Sequence, residues 1–418
     1  MSGVLLKNGT LVLPTSIHEN GMLFMAEGMI IALGSTQTQP GLEEQLKFVS
    51  GDSQVVDLGG DILIPGLIDT HVHGTGGFDT MDQTLSSLKE LGQALLSEGT
   101  TAFLPTTMSC PQEELFAVLE GIRVEMDARA RLEKSGLGEE KERLDPAGDG
   151  AEILGVHLEG PFLSLHLKGA QAGENIFPIE GHAMTVLTEL TKRFPRLIRI
   201  LTLAVERPDA RNLVQHCLDH SIIPSVGHSD ATYEEMQEAL NWGLRHVTHA
   251  FNAMPPIHHR QPGLLTSALT HSEVMIELIA DGVHIHPSVL EMALQLKPLG
   301  RVCLVSDGTR AVGMPDGDYD LGGQLTRVRQ GTVRLVDGTL AGSAQPLLHG
   351  VRTLVSKVNW PLQKAVHYAS LNPAQLLGID DRLGSLELGK EATFLRLTPE
   401  LRLKEVWLKG RLVVQNYI

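Results

Sequence analysis

Cysteine is scarce: Cys110, Cys217 and Cys303 are the only three in 418 residues, far apart and without a Cys-x-x-Cys spacing. That argues against a disulfide framework and fits a reducing compartment. Basic charge is also short, with 34 Lys and Arg against 50 Asp and Glu, a formal net charge of -16. Nucleic acid and anionic membrane both demand a basic surface, so neither is expected as the main partner. An anionic small substrate is not excluded, because a few well-placed basic residues suffice for it. Aromatic residues make up 4% and carry little argument. No apolar run approaches a membrane span, and residues 1–9 hold one lysine and no run of signal length. The expectation is a cytoplasmic protein.

What is present suits a soluble α/β enzyme: 42% hydrophobic residues, with 43 glycines and 21 prolines for many tight connections. An α/β barrel takes up about 250 residues, so a barrel plus a smaller domain fits this length. Residues 1–58 alternate short β-like runs, such as Thr10-Leu11-Val12-Leu13 and Met22-Leu23-Phe24-Met25, with Asn-Gly and Glu-Gly turn signals. Residues 371–418 open on a helical stretch and then show the same texture, in Ala392–Leu397 and Val406–Val414. Chain ends are often close in space, so both are expected to form one flanking β-sandwich. Between them, residues 59–370 are expected to form a (β/α)8 barrel. Eight β-rich runs recur there: Ile62–Ile68, Ala102–Leu104, Ile153–Leu158, Ile198–Ala204, Ile222–Val226, His246–Phe251, Val274–Ala280 and Val302–Val305. Amphipathic patterns separate most of them, for example Leu85, Leu88, Leu91 and Leu95 before Gly99, and Tyr233 to Leu240 before Gly243. The charged segment Asp127–Gly150 reads as a surface insertion.

A parallel barrel carries its active site at the C-terminal ends of its strands. His71 and His73 follow the first run, Glu159 the third, His228 the fifth and His249 the sixth; Asp281 and His284 follow the seventh, and Asp307 the eighth. Two histidines two apart on an extended backbone point to the same side and can grip one cation. A lone His-x-His is a common polar turn, and His157 or His246 alone reads as a core histidine. A whole set at one end of a barrel is hard to explain by packing. Neutral imidazole suits zinc and iron, so one or two such divalent ions are expected. Glu159, His228 and His249 are candidate ligands, with Glu159 able to bridge. A metal lowers the pKa of water to roughly 7, and Asp307 is the natural proton shuttle. The reaction class is metal-assisted hydrolysis.

These residues also carry a resemblance. His157-Leu158-Glu159-Gly160-Pro161-Phe162, Gly227-His228-Ser229, Thr248–Met254, Ala280-Asp281-Gly282-Val283-His284 and Ser306-Asp307-Gly308 occur in the order seen in the N-acetylglucosamine-6-phosphate deacetylases of the amidohydrolase superfamily, which the chain resembles from end to end. The resemblance implies removal of an acetyl group from an amino-sugar phosphate, with Glu159, His228 and His249 as main metal ligands and Asp307 as acid/base. Because His71 and His73 are both present, it allows a second metal shared through Glu159 and Asp307. It places Asn252, Ala253, Arg260, His284 and Leu340-Ala341-Gly342 at the substrate, with Ala170, Gln171 and Asp281 from the same motifs. It also implies a homodimer, in which the arginine at the position of Arg260 reaches phosphate across the interface, as a bidentate guanidinium suits. Two departures stand out. Lys168-Gly169-Ala170 is followed by Gln171 where the family usually has histidine, and Ala344-Gln345-Pro346 follow the Ala341-Gly342-Ser343 turn. A cyclic-amide hydrolase would need a lysine after the fourth run, and Leu203–Arg207 offers none. A galacto-configured substrate, another amidohydrolase reaction and a non-catalytic sugar-phosphate-binding barrel are the alternatives.

Overall fold

The computed structural model describes residues 3–35, 53–82, 85–135, 150–177 and 182–417. Both chain ends meet in one eight-stranded sheet. Its strands are Val4–Val12, Ile17–Ala26, Met29–Ser35, Gln54–Asp57 and Ile62–Pro65 from the front, and Phe394–Leu397, Leu403–Leu408 and Arg411–Gln415 from the back. Two of its hairpins turn on two residues of positive φ, Glu27-Gly28 and Lys409-Gly410. Such a turn matches the right-handed twist of paired strands. The join between front and back is Ile62–Pro65 against Phe394–Leu397, antiparallel. Leu6, Leu11, Leu23, Leu63, Phe394 and Trp407 pack together beneath it, the last two with stacked rings 5.6 Å apart.

The middle of the chain supplies parallel strands: β1 (Leu67–Val72), β2 (Thr100–Pro105), β3 (Val156–Glu159), β4 (Ile198–Leu203), β5 (Ile223–Val226), β6 (His246–Val247), β7 (Met275–Ile279) and β8 (Val302–Val305). β3 to β8 lie side by side in chain order, and β1 pairs with β2. β1, β2, β3, β7 and β8 are buried at every position, as expected of strands covered on both faces. Single parallel bridges, Thr106 to His157 and Val72 to Gly308, tie the edges of the two sheets to each other. The Asp307 N–H donates to the His71 carbonyl at 3.0 Å, and the His73 N–H to that of Gly308 at 2.8 Å. The parallel sheet thus curls until the end of β8 lies against the end of β1. A helix follows each strand; that after β5, Tyr233–Asn241, opens with a reciprocal cap between Thr232 and Glu235.

Three expectations change. The run Ile62–Ile68 is two strands, because Gly66 divides it: Ile62–Pro65 joins the sheet of the chain ends, and β1 starts at Leu67. The supposed insertion at Asp127 begins inside a helix, Gln112–Ser135, and 136–149 lie outside the described residues. Beyond β8, within the span expected to be barrel alone, Gly317–Leu321, Gln324–Arg329, Thr332–Leu335 and Leu340–Ser343 form a four-stranded sheet of antiparallel hairpins. Its turn pairs Gly322-Gly323 and Gln330-Gly331, all at positive φ, were signals in the sequence for such hairpins.

Candidate metal centre

Glu159 ends β3, and His71 sits on β1 with His73 just past it. His228, His249 and Asp307 each stand two residues beyond their strands, and each has positive φ, at 48°, 32° and 48°. That conformation is uncommon for non-glycine residues and persists where surrounding structure enforces it. Here it turns three side chains back over the strand ends.

The nitrogens converge on two carboxylates. Glu159 Oε1 lies 3.2 Å from His228 Nε2, 3.0 Å from His249 Nε2 and 3.5 Å from His71 Nε2, and Glu159 Oε2 lies 3.3 Å from His73 Nε2. Asp307 Oδ1 is 3.5 Å from His71 Nε2 and 3.3 Å from His73 Nε2. For metal bonds of about 2.0–2.1 Å in a tetrahedron, ligand atoms sit roughly 3.3 Å apart. Two triads therefore have metal-binding dimensions, Glu159–His228–His249 and His71–His73–Asp307, with Glu159 between them. All six residues are buried.

The far sides of the rings agree with this. His71 Nδ1–H donates to Glu277 Oε2 at 3.1 Å, His73 Nδ1–H to the Thr106 carbonyl at 3.2 Å, and His228 Nδ1–H to the Leu167 carbonyl at 2.9 Å. Each bond fixes the tautomer that, when neutral, turns an Nε2 lone pair to the cluster, the arrangement seen around metal-ligating histidines. Among the described residues His71 Nε2 is buried with no hydrogen-bond partner, which a cation would satisfy. The donors are nitrogen and carboxylate oxygen, the set that zinc and iron accept.

Charge is strongly coupled in the cluster. Burial pushes the His71 imidazolium down, but Glu159, Asp307 and Glu277 more than offset it, leaving its pKa at about 9. Burial pushes the Asp307 carboxyl up, and His71 and His73 outweigh that to hold it at about 2. The site is built to hold positive charge, on protons or on metal.

Beside the cluster lies a cavity of about 520 Å³, lined by His73, Glu159, His228, His249 and Asp307 and, among the expected substrate positions, by Ala170, Gln171, Asn252, Ala253, His284, Leu340 and Gly342. Three expected residues are not in its lining. Ala341 is buried. Asp281 stands behind His284, accepting its Nδ1–H at 2.8 Å. Arg260 is exposed, its guanidinium 2.7 Å from His259 Nε2. Gln171, in that lining, also reaches the cluster: its amide nitrogen donates to Glu159 Oε2 at 2.7 Å, and its oxygen accepts the Ser109 N–H at 2.7 Å. The amide therefore steadies a carboxylate of the cluster.

His157 is the core histidine anticipated, bonded to the Thr70 carbonyl and Thr202 Oγ1. The sequence reading missed Glu277, fully buried on β7 beneath the cluster. A lone carboxylate inside the apolar run Val274–Ala280 was the available signal, since such residues are rarely buried unpaired. It also missed His166, Lys168, Asp337 and Thr339 in the cavity wall; the last two come from the hairpin sheet that the reading did not separate.

The sequence pattern of the amidohydrolase family matches residues 62–413. The chain belongs to the amidohydrolase family. Among its relatives, this amidohydrolase is 37% identical over 393 residues to the N-acetylglucosamine-6-phosphate deacetylase of Bacillus subtilis, covering 93% of this chain and 91% of the relative. It is 34% identical to the N-acetylgalactosamine-6-phosphate deacetylase of Escherichia coli O157:H7, over 86% of this chain and 89% of that one. Among solved structures, a mutant N-acetyl-D-glucosamine-6-phosphate deacetylase from Mycobacterium smegmatis, in complex with N-acetyl-D-glucosamine-6-phosphate, superposes with a TM-score of 0.85 at 28% identity, covering 99% of this chain and all of that one.

Proposed function

We propose that this amidohydrolase removes the acetyl group from N-acetylglucosamine 6-phosphate, giving glucosamine 6-phosphate and acetate. The observation that carries the reading is the convergence of four imidazole Nε2 atoms on Glu159 and Asp307 beside a sugar-sized cavity; the names of the relatives supply the substrate. Glu159, His228 and His249 would hold one divalent ion, zinc or iron, and His71, His73 and Asp307 a second. Such an ion makes water acidic enough to act as a nucleophile near neutral pH. Asp307 takes the proton from the attacking water and returns it to the departing amine, while Gln171 keeps Glu159 oriented. His284, held through its Nδ1 by Asp281, keeps Nε2 for a polar group of the sugar, as Asn252, Ala253, Ala170, Leu340 and Gly342 shape the rest, with Ala341 buried behind the last two.

Arg260 lies outside the cavity wall of its own chain, so a phosphate contact from it requires a second copy; the active form in this reading is a homodimer. The architecture is read as a closed (β/α)8 barrel over 59–370, flanked by a β-sandwich from 1–58 and 371–418. No helix among the described residues is long and apolar enough to cross a membrane, in keeping with a cytoplasmic sugar-phosphate enzyme. The galactosamine relative supports a second reading, the galacto-configured substrate. The test is acetate release from both N-acetylhexosamine 6-phosphates by protein purified with zinc or iron. Turnover of the gluco sugar at higher kcat/KM supports the proposal, preference for the galacto sugar replaces it, and no turnover of either leaves the non-catalytic barrel.

A further inference from the structure

Glu277 is fully buried on β7, one layer below the cluster and outside the substrate cavity. An ionised carboxylate in such a place is costly unless paired and hydrogen-bonded. Two of its hydrogen bonds come from candidate ligands and one from a neighbouring threonine. Oε2 accepts from His71 Nδ1 at 3.1 Å and from the backbone N–H of His249 at 3.2 Å, while Oε1 accepts from Thr70 Oγ1 at 3.4 Å. One oxygen thus grips a ligand of each triad. Two further imidazoles stand beside it, His246 with Nε2 3.8 Å from Oε1 and His157 with a ring nitrogen within 4.8 Å.

Counting charge shows what this carboxylate requires. Glu159, Asp307 and Glu277 bring three negative charges against histidines that are neutral when they act as ligands. One divalent ion at Glu159 leaves a net negative charge under the barrel mouth, and a second offsets it. Glu277 reaches that second ion through His71, whose Nδ1 proton it accepts, making Nε2 a stronger donor. Outer carboxylates of this type set both the direction and the basicity of a ligating ring.

We infer that Glu277 is the positioning residue that makes His71, His73 and Asp307 a second cation site. This rests on the metal-centre reading above, and zinc stoichiometry separates the two. Zinc titration with elemental analysis of the full-length protein should give two ions per chain for the parent and close to one for Glu277→Gln. The weaker ion should be lost by about 10- to 100-fold in affinity. In a His71→Asn background the same substitution should change zinc binding no further. Glu277→Asp keeps the charge but draws the oxygen away from Nδ1, and should lose the second ion too; it decides the matter if the glutamine variant does not fold. Either folded variant binding two ions with parental affinity overturns the inference, as does a parent that binds one. A parent that binds none overturns the metal reading itself.

Discussion

Replacing one oxygen of Asp307 by an amide nitrogen separates its two proposed roles. The amide keeps the shape but accepts no proton, so Asp307→Asn should lower kcat by about 10²–10⁴-fold. Zinc at Glu159, His228 and His249 should remain, as elemental analysis would show. Near-normal kcat with metal bound would move the proton transfer to another group. Arg260 poses the complementary question, because it is exposed and not part of its own chain's cavity lining. A charge-assisted contact is worth about 1.5–3 kcal/mol, so Arg260→Ala should raise KM for the phosphorylated sugar at least about tenfold. The slow reaction of the unphosphorylated sugar should be unchanged; an equal loss on both would assign Arg260 to fold or dimer. The cluster residues were legible in the sequence because each follows an apolar run at a short, regular distance. Gln171 and Glu277 were not, because their meaning lies in partners at Glu159 and His71, brought near only by tertiary folding.

The turns after the strands carry as much of the site as the strands do. Gly342, at φ +65°, closes the hairpin sheet onto the end of β8: the Ser343 N–H donates to the Asp307 carbonyl at 2.7 Å. A Cβ added at Gly342 would lie 2.7 Å from that carbonyl oxygen and from Thr309 Cγ2. Gly338 also has positive φ, +94°, yet a Cβ there meets nothing within 4 Å. Gly342→Ala should therefore destabilise by about 1–3 kcal/mol and lower kcat by displacing Asp307, whereas Gly338→Ala should show backbone strain alone and normal kcat. Denaturant midpoints and turnover of both variants check this, and equal behaviour would mean that the contact relaxes without moving Asp307. Strands and amphipathic helices were readable because burial imposes periods of two and 3.6. The division at Gly66 was not, since one apolar run serves two sheets and nothing in its composition says where the allegiance changes. The hairpin sheet beyond β8 was announced by its glycine pairs, but the expectation of a barrel absorbed them.

For the whole molecule, protons and metal compete for one set of charges. His71, near 6.5 when unfolded, has a folded pKa of about 9 without metal. A raised imidazole contributes stability that is fully present below 6.5 and disappears as pH rises through 9. Its burial with three carboxylates makes the effect on the order of 3 kcal/mol. Asp69 and Glu98, which burial lifts to about 7, are harmless while protonated and cost both forms stability as pH rises from about 4 to 7; above 7 their contribution is constant, so the useful window is pH 7–9. Chelator-treated protein should lose melting temperature across it, and zinc-loaded protein should not. Identical slopes would show that the cluster is not the cation site. The joining of the two chain ends has a consequence of another kind, in time. Ile62–Pro65, which leads into β1 and its histidines, pairs with Val4–Val12 along one edge and with Phe394–Leu397 along the other. While the ribosome makes the intervening chain, the second edge of that strand stays unpaired, and a nascent protein halted before residue 394 has every candidate ligand in its sequence but an incomplete sheet beside the first of them. Completion of the sheet that joins the two chain ends is thereby deferred to the final moments of synthesis.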